Sequence, residues 1–324
     1  MSRVDPRRRS AIKALGAFSL SGAMSFSYAQ AWPAKPVRIV HGYDSGSNPD
    51  TVARAMQQAL TERLGQPLII EPKPGAGGRI ATGYTATQEA DGYTLMMLTG
   101  GDGVAAATDA KLPYELTRDF AFISTVSQFP FVILVKPDAP YKTLAEVIDA
   151  AKKNPGKISF ATPGIRTTQH LTGELIKATA GIDMLHVPFK GTSFQDLIGG
   201  RVDLLIAAPS IATPQIKGGA VRAIAVTSRN RMETLSGVPT VAETLPGFEV
   251  TSWLGLAAPA KTPAAVISRL NADVRQVLTQ EAVRARLLAI GSEPVGGTAE
   301  ELRARVETDI RKWKELARTA KLDG

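Results

Sequence analysis

The sequence predicts an α/β protein built from two doubly wound lobes, and three observations lead to this prediction. First, short apolar runs alternate with helical patterns between residues 37 and 98, as in a parallel doubly wound sheet. Second, a similar βα series begins near Ile158 and continues to Val226. Third, the apolar run Phe248–Ala257 is predicted to cross back as a strand. The repeated architecture therefore indicates two similar lobes joined by crossing strands.

The first predicted strand, Val37–Val40, leads through a loop of small polar residues into a helix predicted from Asp50 to Leu64. Asn48 is the predicted N-cap, and Pro49 suits the first helical position. A strand that turns into a helix N-terminus presents free backbone N–H groups to an anion. We therefore interpret residues 41–50 as the first wall of a binding cleft.

The same alternation of strands and helices continues along the chain. The further strands are predicted at Leu68–Glu71, Tyr93–Leu98, Phe120–Val126, Phe131–Val135, Ile158–Ala161, Met184–Val187, Leu204–Ala207 and Ala223–Val226. The further helices are predicted at Arg79–Ala90, from the capping box Thr143–Glu146 to Asn154, at Thr167–Ala180, from Ser193, and at Ser210–Lys217. Residues 99–103, which are rich in glycine, are predicted as a loop.

Three helices are predicted to close the chain. They begin at Thr262 and Pro263, near Glu281, and at the capping box Thr298–Glu301. The last helix carries apolar residues at helical spacing, namely Leu302, Val306, Ile310 and Trp313. This stripe predicts that the helix docks on a core.

Length, charge and cysteine content limit the class of protein. The chain of 324 residues is longer than one typical domain, so two domains are expected. Its net charge is +8, of which the first 31 residues contribute +4 through five basic residues and one acidic residue. The mild remaining excess suits a small anionic ligand better than nucleic acid. Because cysteine is absent, disulfides, thiolate metal sites, a cysteine nucleophile and a lipidated N-terminal cysteine are excluded.

Residues 1–31 have the layout of an export signal. Basic residues Arg7–Arg9 precede an apolar segment, which small-x-small cleavage sites ending at Ala29 and Ala31 follow. The run Arg8–Lys13 is similar to a twin-arginine signal in which alanine replaces the usual phenylalanine, and an ordinary secretory signal is the alternative. We expect a periplasmic protein, with the signal cleaved near Ala29 or Ala31.

The sequence lacks the common catalytic motifs: a G-x-S-x-G elbow, an H-E-x-x-H helix and a Walker lysine loop. The run Gly75–Ile80 lacks the third glycine of a dinucleotide fingerprint, so we interpret it as a loop whose backbone approaches a ligand. No cofactor and no metal are expected. The alternative function is a periplasmic enzyme that acts on an organic acid through His41 with Asp44 or Asp50.

Four loops of small polar residues are predicted at the carboxyl ends of strands, where doubly wound sheets bind ligands. They span residues 41–50, 74–79, 99–103 and 162–168. Backbone N–H groups and hydroxyls would hold the carboxylate of a small acid there. The hydroxyls belong to Ser45, Ser47, Thr167 and Thr168. Loops from both halves are therefore predicted to share one cleft.

Motifs along nearly all of the mature chain resemble, in order, those of the solute-binding subunits of tripartite tricarboxylate transporters, the Bug family. They are Trp32–Val40, Leu64–Glu71, Lys73–Gly78, Asp91–Leu95, His170–Leu175, His186–Gly191, Gly199–Asp203, Gly237–Thr240 and Trp253–Gly255. The resemblance implies a fold of the type II periplasmic binding protein kind. It also implies a protein that closes on a small organic acid and delivers it to a membrane permease. We expect a monomer.

The lobes are expected to comprise residues 32–130 with 250–324, and residues 131–249. Phe131–Val135 and Val250–Leu256 are the predicted hinge segments. The resemblance assigns Tyr43, Ser45, Ser47 and Asp50 to one side of the cleft, Thr162, Gly164, Thr167 and Thr168 to the other, and Gly77, Gly78 and Thr99 to its floor. These groups would bind carboxylate through backbone groups, hydroxyls and water.

The sequence departs from the family pattern at positions that bear on the ligand. His41 and Tyr43 replace part of a loop that is usually rich in proline and glycine, and they favour an aromatic or longer acid. Arg79 stands where asparagine is common, and Arg166 where a small residue is usual. Arg166 is predicted to clamp a carboxylate at the cleft mouth, with a solvated side chain as the alternative for either arginine. A ligand sensor without a permease is a further alternative function.

Overall fold

The computed structural model describes residues 32–109 and 111–320. The predicted export signal, residues 1–31, lies outside the described residues. Among the residues that the structure describes, no helix is both long enough and apolar enough to cross a membrane.

The first lobe is built on a mixed sheet. Its strands within the described residues are β1 (Val37–His41), β2 (Leu68–Pro72), β3 (Thr94–Thr99), β4 (Phe120–Pro130), β10 (Thr251–Pro259) and β11 (Glu293–Gly296), in the spatial order β11-β4-β10-β3-β1-β2. β1 is parallel to β2 and β3, whereas β10 is antiparallel to β3 and β4, and β11 is antiparallel to β4. The accompanying helices are α1 (Asn48–Leu64), α2 (Arg79–Ala86), α3 (Gly100–Thr108), α8 (Ala264–Thr279), α9 (Glu281–Ala289) and α10 (Ala299–Ala320).

The second lobe repeats this plan with its own mixed sheet. Its strands are β5 (Val132–Val135), β6 (Ser159–Thr162), β7 (Leu185–Pro188), β8 (Leu204–Ala207) and β9 (Arg222–Val226), in the spatial order β7-β6-β8-β5-β9. β6 is parallel to β7 and β8, and β5 is antiparallel to β8 and β9. The accompanying helices are α4 (Leu144–Lys153), α5 (Thr168–Ala180), α6 (Phe194–Ile198) and α7 (Pro209–Lys217).

The predicted two-lobe α/β fold is confirmed, with one difference in strand direction. The sheets are mixed instead of wholly parallel, because β4, β5 and β10 carry the chain out of the first lobe and back. Of these strands, β4 still runs in the direction of β1, β2 and β3, whereas β10 runs against β3 and β5 runs against β8. The parallel parts, β2-β1-β3 and β7-β6-β8, are those that the βα alternation predicted.

The chain crosses between the lobes beside Thr227, which is fully buried. The backbone N–H of Phe131 donates to Thr227 Oγ1 at 2.8 Å, and Thr227 Oγ1 donates to the carbonyl of Val250 at 2.6 Å. One side chain therefore ties both crossing segments together. The predicted hinge segments extend past this point, since most of Phe131–Val135 belongs to the second sheet and Thr251–Pro259 to the first.

The C-terminal helix docks as its sequence predicted. Leu302, Val306 and Trp313 are buried and Ile310 packs against the same core. The capping box is present, since the Thr298 backbone N–H donates to Glu301 and the Glu301 N–H donates to Thr298 Oγ1 at 3.2 Å. The apolar stripe of α10 thus covers the first sheet.

The N-cap of α1 was predicted one residue too late, at Asn48, and the N-cap of α8 was predicted one residue too early, at Thr262. Ser47 is the N-cap of α1 and Asn48 is its first residue, while Pro263 is the N-cap of α8. The Asn48 side chain bonds Ser210 of the other lobe instead of its own helix. The Asn48 side chain, which could have capped the helix locally, is therefore used in a contact between the lobes.

Two elements escaped the sequence prediction. Helix α3 begins in the glycine-rich run that reads as a loop, because Thr99 caps it by accepting the Gly101 N–H at 3.1 Å. Strand β11 is short and contains proline, which is tolerated because the strand lies at the sheet edge. Helix α2 ends at Ala86, earlier than predicted, where the hydroxyl of Thr87 donates to the carbonyl of Tyr84 at 2.9 Å.

Candidate ligand-binding cleft

A cavity of about 420 Å³ lies between the two lobes. The first lobe contributes Tyr43, Ser47, Asn48, Pro49, Thr99 and Gly101; the second contributes Pro163, Thr168, Gln169, Thr192, Ala208 and Ile211; the crossing strands contribute Phe129, Phe131, Ser252 and Leu254. We call this space the inner cavity.

The inner cavity is surrounded by helix N-termini from both lobes. Ser47, Thr99, Thr167 and Ala208 are the N-caps of α1, α3, α5 and α7, and residues of each first turn line the cavity. Helix N-termini carry partial positive charge and backbone N–H groups without intrahelical partners. The cavity is therefore suited to an anion such as a carboxylate.

Three lining residues carry buried polar side-chain atoms that have no hydrogen-bond partner in the described part of the chain. These atoms are Ser47 Oγ, Asn48 Nδ2 and Thr168 Oγ1. Asn48 and Thr168 are themselves 6% and 2% exposed. Buried polar groups in folded proteins are normally hydrogen-bonded. Their clustering on one cavity, from opposite lobes, indicates that a bound molecule would supply the missing partners.

The inner cavity opens into a larger outer mouth of about 820 Å³. Tyr43, Ser47, Thr192 and Ile211 line both spaces, and the mouth adds Asp44, Ser45, Gly46, Gly191, Phe194, Ser210, Pro214 and Gln215. Among the described residues that line these two spaces, no lysine, arginine or histidine is present. Hydroxyls, amides and helix ends therefore provide the attraction for an anion here.

Direct contacts hold the lobes together at two sides of the cleft. Ser210 Oγ donates to Asn48 Oδ1 at 2.6 Å. At the other side, Arg79 Nη1 donates to the carbonyl of Ile165 at 3.3 Å, and an added Cβ on Gly77 would lie 3.2 Å from that carbonyl oxygen. The structure is therefore a closed form of the two-lobe arrangement.

Arg166, which was predicted to clamp a ligand carboxylate, faces a carboxylate of the chain itself. Arg166 Nη1 lies 3.9 Å from Asp109 Oδ2, which is 3.6 Å from Arg79 Nε. The two arginines belong to opposite lobes, so Asp109 bridges them beside the closing contact. Neither arginine lines the inner cavity or the mouth.

His41 and Asp50 also lie outside the cavity lining, behind the first loop. His41 is fully buried, and its Nε2 is 3.2 Å from Asp50 Oδ1. Burial lowers the pKa of His41. Burial opposes ionisation of Asp50, but hydrogen bonds from Arg54 and the Gly46 N–H outweigh it and lower the pKa of this carboxyl. The contact between His41 and Asp50 therefore supports the first loop from behind. A local sequence pattern cannot distinguish this structural role from contact with a ligand.

The other predicted residues fall into three groups. Tyr43, Ser47, Thr99 and Thr168 line the inner cavity, and Ser45 lines the mouth. Gly77, Gly164 and Thr167 form the closing contact: Gly77 approaches Thr167, and Gly164 lies beside Gly77. Gly78, in the third group, lies under the ring of Tyr43 within the first lobe. Thr162 is fully buried and its Oγ1 is 2.7 Å from His186 Nε2, away from the cavity.

Several lining residues were not predicted. Phe129, Phe131, Ser252 and Leu254 lie on the crossing strands. The last three fall in the predicted hinge segments, and none of the four was predicted to line the cleft. Gln169 follows Thr168 directly, and Thr192 lies in a short glycine-containing loop. The position of Gln169 beside a predicted N-cap was the one signal that could have identified it.

His170 and His186 stack on each other with ring centroids 4.1 Å apart, close behind the second wall. Burial lowers the pKa of His170 to about 4 and that of His186 to about 3, helped by positive charge on Lys177. Glu174 lies 4.0 Å from His170 Nε2, but its carboxylate is 3.1 Å from Lys177 Nζ, which offsets its effect. Both rings are therefore neutral at neutral pH.

This pair makes a testable prediction about acid stability. The unfolded chain protonates these histidines near pH 6.5 whereas the folded chain does not, so the free energy of unfolding falls as the pH drops below that value. We expect a loss of about 2 kcal/mol per histidine between pH 7 and pH 5. Urea unfolding at both pH values measures it. His186→Phe, which keeps the stack, should remove the share of this loss that belongs to His186, about 2 kcal/mol, and an unchanged slope would contradict the assignment.

Two mixed sheets with crossing strands and an interlobe cavity define the class of a two-lobe periplasmic binding protein. A family model described as "Tripartite tricarboxylate transporter family receptor" matches residues 52–322. The chain belongs to this receptor family, whose members include the Bug proteins. The resemblance noted in the sequence is thereby confirmed.

Relatives and solved structures agree with this assignment. A Pseudomonas sp. (strain P51) protein, "UPF0065 protein in tcbD-tcbE intergenic region", is 33% identical over 94% of this chain and 93% of its own. The periplasmic binding protein BugD has a TM-score of 0.85 and 34% identity, covering 90% of this chain and 99% of its own. A solved R. palustris protein with adipate has a TM-score of 0.85 and 33% identity, covering 90% and 98%.

Proposed function

We propose that this protein captures a small organic acid in the inner cavity, by closure of its lobes, and delivers it to the permease of a tripartite transporter. The observation that carries this proposal is the set of unpartnered buried polar atoms on Ser47, Asn48 and Thr168. They surround one cavity together with helix N-termini from both lobes. A carboxylate would satisfy these donors and the helix dipoles at once.

The family supports the same kind of ligand. The R. palustris relative was solved with adipate, a dicarboxylate. The apolar floor of this cavity, which includes Phe129, Phe131 and Leu254, would cover the carbon chain or ring of such an acid. We infer export to the periplasm, a monomeric receptor, and lobes formed by residues 32–130 with 250–324 and by residues 131–249.

The geometry of the site favours binding of the acid without reaction over catalysis. The enzyme alternative needs His41 with Asp44 or Asp50 against the substrate. His41 is fully buried and Asp50 is 2% exposed, and neither lines the cavity. Asp44 lines only the mouth. The lobes would instead shift between open and closed forms as the acid binds.

A thermal-shift screen tests the proposal with malate, adipate, succinate, citrate and benzoate. At 100 times its dissociation constant, a bound acid stabilises the folded state by about 2.7 kcal/mol, so the melting temperature should rise by several degrees. Proton NMR of the same mixtures should show the acid unchanged after prolonged incubation. No shift with any acid contradicts capture, and conversion of an acid into product supports the enzyme alternative.

A further inference from the structure

Asn48 joins the two lobes through its side chain. It is the first residue of α1, in the first lobe, and is buried. Its Oδ1 accepts a hydrogen bond from Oγ of Ser210, which lies in the first turn of α7 in the second lobe. The contact therefore exists only when the lobes are closed over the cavity.

This contact determines which end of the Asn48 amide meets the cavity. The separation of 2.6 Å is typical of an O–H···O hydrogen bond and shorter than the usual N–H···O distance, so the carbonyl end faces Ser210. Nδ2 is left on the other branch, buried and without a partner in the described residues. An amide nitrogen only donates hydrogen bonds. Asn48 lines the inner cavity, and the group that it leaves without a partner is therefore a donor.

The helix ends that line the inner cavity have the same preference. Helix N-termini of both lobes surround the inner cavity, and their partial positive charge repels an ammonium group. Among the described residues that line the inner cavity, none is acidic. An ammonium held in the inner cavity would therefore meet no carboxylate among the described lining residues and no acceptor at Asn48.

We propose that Asn48 is a specificity-determining residue of the cleft. Ser210 orients its amide so that Nδ2 donates to a ligand oxygen, which selects a carboxylate at the buried end. An α-amino acid is rejected because its ammonium group would face a donor instead of an acceptor. The inference rests on the proposed function, since it assigns the class of acid that the same cavity takes.

The test is calorimetric titration of the wild type and two variants with adipate, malate and benzoate, and with the amino counterparts 2-aminoadipate and aspartate. Asn48→Asp keeps the size of the side chain and its acceptor for Ser210, and an acidic residue suits the first turn of α1. It should weaken the best-bound of the three acids about 100-fold, because two carboxylates then face each other. The same change on the exposed end of α4, Asn154→Asp, is the matched control and should leave the affinity unchanged.

The variant Ser210→Ala distinguishes a role of Asn48 in ligand recognition from a role only in holding the lobes together. It frees the amide to rotate, so the acid should bind at most about tenfold more weakly and the gap between each acid and its amino counterpart should narrow. If Asn48 served only to hold the lobes together, Asn48→Asp would keep the affinity and Ser210→Ala would lose it. That pattern overturns the inference, as does equal binding of an acid and its amino counterpart. Failure of the wild type to bind any acid of the thermal screen overturns the proposed function itself.

Discussion

Gly101→Val is expected to weaken acid binding about 100-fold or more by keeping the lobes apart. A Cβ at Gly101 would lie 3.2 Å from the Tyr43 hydroxyl and 3.7 Å from Cα of Thr167, which belongs to the opposite lobe. The two methyl groups of valine need further space in a cavity that this residue already lines. Overpacking of this kind costs about 1–3 kcal/mol or more, and each 1.4 kcal/mol is tenfold in affinity.

Titration calorimetry with an acid that the wild type binds measures this loss, and small-angle scattering should show the liganded variant more extended than the liganded wild type. Gly103→Ala is the control on the same helix, since its Cβ would meet Asp309 of α10 at 3.4 Å instead of the cleft. It should change the affinity less than twofold. Wild-type affinity in a folded Gly101→Val protein would show that closure over α3 is not needed for binding.

Thr168→Val should weaken acid binding about 10- to 100-fold and leave the unliganded protein as stable as before, or more stable. The Thr168 hydroxyl is buried without a partner in the described chain. It lies near the first turn of α3, 3.0 Å from where a Cβ on Gly100 would be. A hydrogen bond to a charged group contributes about 1.5–3 kcal/mol, which valine cannot provide. Removing an unsatisfied buried hydroxyl does not cost folding free energy.

The opposite signs of these two effects make the test specific, because a damaged fold would lower both affinity and stability. Thr172→Val is the matched control: this residue is buried on the same helix, but its hydroxyl donates to the carbonyl of Thr168 at 2.8 Å. It should lower the melting temperature slightly and leave the affinity nearly unchanged. An unaltered dissociation constant in Thr168→Val would remove its hydroxyl from the list of ligand contacts.

Local chemistry explains which parts of the fold and cleft the sequence predicted. The strand-to-helix turns at Ser47 and Thr168 are visible in the sequence because hydroxyl residues before an apolar helix follow a local rule. The structure places both residues on the inner cavity. Helix α3 was missed because the glycines that let it approach Ser252 also resemble a loop. The tertiary contact therefore outweighs the low helix propensity of these glycines.

Residues that act through long-range contacts could not be predicted in the same way. His41 was expected in the cleft, but its partner is Asp50 behind the loop. Arg166 was expected to meet a ligand, but it faces Asp109, 57 positions earlier in the chain. The pairing of Asn48 with Ser210 spans 162 positions. A single sequence shows which polar and charged side chains are available, but it does not show which of them are in contact in the folded protein.

The shared hydrogen bonds of Thr227 have a consequence for how the two halves move. Because one hydroxyl bonds to both crossing segments, sliding of one past the other would break a hydrogen bond, whereas rotation about that point would keep both. Phe129 and Phe131 lie at the crossing itself, whereas Asn48 and Ser210 belong to helices on opposite lobes. When the lobes open, the aromatic floor would keep its place beside Thr227, while the contact between Asn48 and Ser210 would break.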